Sequence, residues 1–184
     1  MNIYVLSFIL QLKMDGLIIQ MGIPVELRLT KFKDKYYLEA QVVKEIETLY
    51  KSYEKYENII VASDNKFKIE LKHTPYLFKI NNIENNKIAK LQIFGRDIYF
   101  DFNENKIKIG KNISPLFYTK EKNNIVIVVD RCSIEIFSNS GKIYMSCLNN
   151  ETICDFNIPY FVIESNNETK IESLEICSLN SILK

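Results

Sequence analysis

Short runs of β-branched and aromatic residues recur from Val25 to Leu179, and each ends in a cluster of Asn, Ser, Asp, Gly or Lys. The runs are Val25–Thr30, Tyr36–Gln41, Asn58–Ala62, Phe67–Lys72, Tyr76–Asn81, Ile88–Phe94 and Asp97–Asn103. They continue as Lys106–Ile109, Ile125–Asp130, Ser133–Ser138, Lys142–Leu148, Cys154–Ile158 and Ile171–Leu179. Turn clusters lie at 33–35, 81–86, 103–106, 138–141 and 165–169, where hairpins need them. Many short strands with this punctuation predict an all-β fold, a two-sheet antiparallel sandwich of the jelly-roll or concanavalin-like kind. Lys68, Lys72, Lys106 and Lys108 suit strands that must not pair with other chains.

One segment departs from the strand period. In "VVKEIETLYKSYEKYE" (42–57), Val42/Val43, Ile46, Leu49/Tyr50, Tyr53 and Tyr56 fall on one helical face. This predicts a short helix near 44–56 crossing the end of the sandwich, or else an extended first half between two strands. The chain of 184 residues shows no repeat, no linker and no composition shift, so residues 21–184 read as one domain. Residues 1–20 read as a tail or an extra strand; the apolar run Met1–Leu12 is too short to span a bilayer and lacks the flanks of a signal peptide.

Charge and cysteine usage exclude several classes of function. Lys+Arg (24) and Asp+Glu (23) nearly cancel, so the net charge of +1 gives no field for nucleic acid or an anionic membrane. His73 is the only histidine, and Cys132, Cys147, Cys154 and Cys177 contain no C-x-x-C spacing. No zinc set, no cofactor motif and no Ser-His-Asp or Cys-His site can be assembled from them. The cysteines read as small reduced strand residues, which together with the missing signal peptide favours the cytoplasm.

The stretch "IVIVVDRCSIEIFSNSGKIYM" (125–145) places Asp130, Arg131 and Glu135 among apolar strand residues. A retaining glycosidase pair needs its carboxyl groups about 5–5.5 Å apart. Five extended residues span roughly 16–17 Å, and the odd separation puts Asp130 and Glu135 on opposite faces. The charges therefore read as structural, with Arg131 or Glu135 tying the corner to a neighbouring strand. Within Ser133–Ser138, Ile134 and Ile136 face one way and Glu135 and Phe137 the other, and Gly141 supplies a positive φ in the following hairpin loop.

These residues bring a resemblance into view. "IVVDRCSIEIFSNSGKIYMSCLNN" (127–150) resembles the "vDrSsiEvFvNdGe" segment in the C-terminal β-sandwich of glycoside hydrolase family 32, which contains invertases, levanases, inulinases and sucrose-6-phosphate hydrolases. Upstream, "MGIPVELRLTKFKDKYYLEAQVVKEIETL" (21–49) resembles that family's "LPREL.L…dg.L.q.PvkElE.L" segment, with Ile23-Pro24, Glu26-Leu27-Arg28-Leu29, Gln41, Val43 and Lys44-Glu45-Ile46-Glu47 in register. By the resemblance, Pro24, Glu26, Arg28, Asp130, Arg131, Ser133, Glu135 and Gly141 carry the family pattern as scaffold residues. The match departs at Cys132 (usually serine), Ser138 (usually apolar) and Val25 (usually arginine), and "SCLNN" lacks the usual Arg and Pro.

The family acts through a five-bladed propeller preceding the sandwich, with carboxylates in Asn-Asp-Pro, Arg-Asp-Pro and Glu-Cys motifs. None occurs here: Arg96-Asp97 lacks the proline, and in Glu175-Ile176-Cys177 the spacing is wrong. The resemblance thus implies a sandwich module without catalytic residues, inactive alone, whose partner is a family-32 propeller or a second copy of itself. A standalone module for fructans or sucrose-type glycans is the alternative. Tyr36, Tyr37, Tyr53, Tyr56 and Tyr76, with Tyr50, are candidate stacking contacts, although alternate strand positions usually place such residues in a core or at a sheet edge.

Overall fold

A computed structural model describes the chain apart from residues 1–2, 14–15, 33, 73–74, 85–87, 117–122, 131–132, 149–154, 156 and 181–184. Two six-stranded sheets face each other, and every pairing in them is antiparallel. The first sheet comprises β5 (Phe67–Glu70), β7 (Ile88–Ile93), β8 (Arg96–Asp101), β9 (Lys106–Ile109), β10 (Asn112–Pro115) and β14 (Tyr160–Ser165), ordered β10-β9-β8-β7-β14-β5. The second comprises β4 (Tyr50–Val61), β6 (Tyr76–Ile83), β11 (Ile125–Val129), β12 (Ser133–Ser138), β13 (Ile143–Leu148) and β15 (Thr169–Leu179), ordered β13-β12-β11-β6-β15-β4. This is the all-β sandwich that the strand rhythm predicts.

The core lies where the two inner faces meet. Ile125, Ile127 and Val129 of β11 point inward by alternation, as do Ile134 and Ile136 of β12. Across the interface, Phe78 and Phe161 stack with ring centroids 4.6 Å apart, both fully buried. A third, three-stranded sheet joins β1 (Ile3–Lys13), β2 (Gly16–Phe32) and β3 (Lys35–Val42) in sequence order. It lies on the outer face of the second large sheet, over a separate apolar cluster that includes Val25, Ile46, Leu77, Val128 and Phe137.

The helical reading of 42–57 holds only at its start. Lys44–Leu49 forms a short 3-10 helix, and from Tyr50 onward the chain is β4, paired with β15 from Tyr50↔Leu179 to Val61↔Thr169. The helical spacing does not carry into the sheet: Tyr53 pairs with Cys177 and Tyr56 with Leu174, on opposite faces of β4, and only beyond Tyr56 is the strand kinked. Asn58 (φ 55°) and Asn82 (φ 51°) both adopt the left-handed conformation, at the level of Glu172 on the strand between them. At that level the inward-facing residues are three apart in each strand: Tyr56 and Ile59, Ile80 and Ile83, Ile171 and Leu174. The Asn82 side chain donates to Glu172 Oε2 at 3.0 Å.

The strand expected at Cys154–Ile158 is a correction as well. Of its described residues, Asp155 and Ile158 close a turn, with Ile158 N–H on Asp155 O at 2.9 Å and Asn157 N–H on Asp155 Oδ1 at 3.0 Å. The strand begins beyond Pro159, as β14, and it fills the position between β7 and β5.

Candidate functional site

The outer face of the second large sheet carries a buried carboxylate beneath the small sheet. Glu135 points to this face from β12 and is only 1% exposed beneath β2. Its carboxylate accepts the Ile23 N–H at 3.1 Å and the Tyr144 hydroxyl at 2.8 Å, so one side chain joins the small sheet, β12 and β13. Burial pushes the Glu135 carboxyl above the usual carboxylate range, the two hydrogen bonds oppose the shift, and Asp130 adds slightly to it. Beside it, Phe137 stacks on Tyr144 at 4.9 Å.

A second contact lies at the β12–β13 turn. Ala40 of β3 donates its N–H to Gly141 O at 2.8 Å, and Gln41 Nε2 donates to Ser140 O at 2.7 Å. A Cβ on Gly141 would lie 2.1 Å from Ala40 O, and its φ of +84° independently favours glycine. Pro24 O accepts the Val43 N–H at 3.4 Å where the chain leaves the small sheet. On β2 and β3, Arg28 Nε donates to Glu26 Oε1 at 2.9 Å, and Thr30 donates to Glu39 Oε1 at the same distance; both carboxylates are buried.

The remaining scaffold candidates lie at the corner. Asp130 is exposed and donates its N–H to the carbonyl of Ser133, itself buried, at 2.9 Å; Arg131 lies outside the described residues. The geometry gives no acid–base pair: Glu135 spends both oxygens under β2 while Asp130 is out at the turn. Among the described residues no group of three or more His, Cys, Asp or Glu is arranged to hold a metal ion.

The tyrosines do not form one platform. Tyr76 is a core residue stacked near Phe78 at 5.7 Å, with its hydroxyl accepting Lys72 N–H at 3.0 Å, so it offers no face to a ligand. Tyr56 packs edge-on against Phe67 at 5.1 Å and donates to Glu54 at 2.6 Å. Tyr53 is exposed on β4, whereas Tyr36 and Tyr37 are on the distant β2–β3 hairpin.

Tyr50 instead lines a cleft of about 310 Å³ between the β3–3-10 segment and the large sheet. Leu77, Val126 and Phe137 supply apolar lining; Gln41, Lys79, Asn81 and Asn124 supply polar groups. Lys79 Nζ is 3.5 Å from Glu47 and 3.8 Å from Glu175. Burial pushes the Tyr50 phenol up to about 12. A second hollow, of about 250 Å³, sits on the other sheet, but its Lys66 and Lys90 are both paired with Glu164.

No family model and no curated protein sequence matches the chain. Solved structures do match its fold. An exo-inulinase from Aspergillus awamori superposes with a TM-score of 0.66 at 14% identity, over 88% of this chain and 36% of that one. A β-fructofuranosidase from Schwanniomyces occidentalis, complexed with fructosyl-erythritol, gives 0.64 at 15% identity over 88% and 40%. Fructan 1-exohydrolase IIa from Cichorium intybus gives 0.65 at 14% identity over 89% and 41%. The chain therefore has the fold of one portion of these enzymes and spans about two-fifths of their length.

Proposed function

We propose that this chain is the β-sandwich module of a family-32-type fructoside hydrolase, a structural partner to a catalytic propeller and without hydrolytic activity of its own. The observation that carries this reading is the pattern of coverage: nearly all of this chain superposes on each enzyme, and only 36–41% of each enzyme is matched. The sequence segments 21–49 and 127–150, which resemble the family, meet in space at the Glu135–Ile23 and Gly141–Ala40 contacts. An exposed surface suited to docking extends from that seam. Leu29 and Leu38 are cross-strand partners on the β2–β3 hairpin and are 70% and 61% exposed, with Tyr36 beside them at 67%. Such a cluster of large apolar side chains on one sheet face is a site for contact with another protein surface.

Incubating the full chain with sucrose, inulin and levan tests the catalytic half of the proposal. No fructose release above buffer is expected, and steady release that scales with protein concentration overturns it. A second reading, a standalone module that binds fructan or a related glycan, draws support from the cleft beside Tyr50, where amide groups surround an apolar floor.

A further inference from the structure

We infer that the cleft between the β3–3-10 segment and the outer face of β11 and β6 binds a neutral, hydroxyl-rich ring compound of one or two sugar units. This deepens the glycan-binding reading by assigning it a place and a ligand class. The volume, about 310 Å³, lies at the lower end of small-molecule pockets, which run from about 300 to 1,000 Å³.

The polar inventory argues for the ligand class. Each of three amides has one end engaged in the protein: Gln41 Nε2 on Ser140 O, Asn81 Nδ2 on Ser173 Oγ, and Asn124 Oδ1 under the Asn82 N–H. The opposite ends, Gln41 Oε1, Asn81 Oδ1 and Asn124 Nδ2, have no protein partner among the described residues. The lining residues thus carry two acceptors and a donor group without protein partners, and sugar hydroxyls, each both donor and acceptor, satisfy such a mixture. A phosphate or carboxylate ligand would find little desolvated positive charge: Lys79 is already flanked by Glu47 and Glu175, and Lys44, the other cation of the lining, is solvent-exposed. The apolar floor of Leu77, Val126 and Phe137 suits the C–H face of a sugar ring rather than a charged or extended polar chain.

The test is a titration of the 15N-labelled full chain with sucrose and with an inulin-type fructose trisaccharide, using glucuronate as a charged control. The expected result is saturable amide shifts at about millimolar ligand, confined to residues 41–50, 77–81, 124–126 and 137–141, with glucuronate inert. Val126→Phe, which fills the floor from the outer face and leaves the sandwich core untouched, should abolish the shifts. Asn124→Ala should weaken binding about 3–10-fold, the worth of one neutral hydrogen bond. Saturable shifts elsewhere that survive Val126→Phe overturn the cleft assignment while leaving glycan binding standing. The absence of shifts with either sugar overturns both.

Discussion

At the scale of single residues, Glu135 decides how the outer face is held. Its carboxylate is buried and satisfied by one backbone and one side-chain donor. Substituting Glu135→Gln keeps the shape but replaces one acceptor with an amide donor facing another donor. A loss of about 1–3 kcal/mol is expected, the cost of leaving a buried polar group unsatisfied, read as a lower denaturant midpoint. The sign of the pH dependence follows from the raised carboxyl. The folded state holds the Glu135 proton more tightly than the unfolded chain does, so this group's contribution is fully present below the ordinary carboxylate range. It is lost as pH rises from that range through the raised value. The stability difference between the wild type and Glu135→Gln should therefore move against the wild type across that window; a pH-independent difference would count against the assignment. Gly141→Ala should cost more than an exposed turn substitution, because a methyl group cannot occupy the space held by Ala40 O. About 2 kcal/mol or more is expected from the left-handed φ and the displaced strand together.

At the scale of elements, the kink shared by β4, β15 and β6 carries the most information. Asn58 and Asn82 take φ values that a β-branched residue resists, and Asn tolerates them. Asn58→Val should lower stability by about 1–2 kcal/mol, whereas Asn58→Gly should be close to neutral, measured as paired shifts in denaturant midpoint. The strand that carries Asn58 also shows the limits of the sequence reading. Tyr50, Tyr53 and Tyr56 are spaced as on a helix, yet Tyr53 and Tyr56 lie on opposite faces of β4, one paired with Cys177 and the other with Leu174. Pairing with β15 from Tyr50 to Val61 overrides the local period. Strands with unbroken alternation or buried runs, such as Ile125–Val129 and Ser133–Ser138, were legible because their pattern needs no partner to interpret. Tyr160–Ser165 was not: Pro159 and the polar turn before it drew the boundary too early, and β14 is identified by what it pairs with on both sides.

At the scale of the molecule, the two large sheets are held by an aromatic core and the small sheet by a narrower seam. Phe161→Ala should cost about 3–5 kcal/mol, a large share of the roughly 5–15 kcal/mol that keeps a domain folded. Thermal denaturation of that variant should show one strongly lowered transition. The exposed Leu29–Leu38 pair makes a different prediction. Light scattering after size exclusion should show concentration-dependent association of the full chain, and Leu38→Asp should shift it towards monomer without lowering the melting temperature. A monomer at every concentration would remove self-association from the possible uses of this face. The cleft was invisible in sequence for a geometric reason: its lining comes from 41–50, 77–81, 124–126 and 137–141, and no local spacing joins those stretches. The seam was partly legible, since a carboxylate inside an apolar strand and a glycine after Asn-Ser are local signals.

The approach of Gly141 to Ala40 also leaves a mark that inheritance would carry. While β3 lies on this turn, every side chain larger than hydrogen at 141 is excluded, whatever happens to the ligand or partner of the surrounding surface. A descendant that lost the small sheet, or carried it elsewhere, would be released from that exclusion, and position 141 would drift towards Asn or Asp, the other residues that accept its φ. Glycine at this one position is thus a compact register of whether the two parts of the molecule have stayed together.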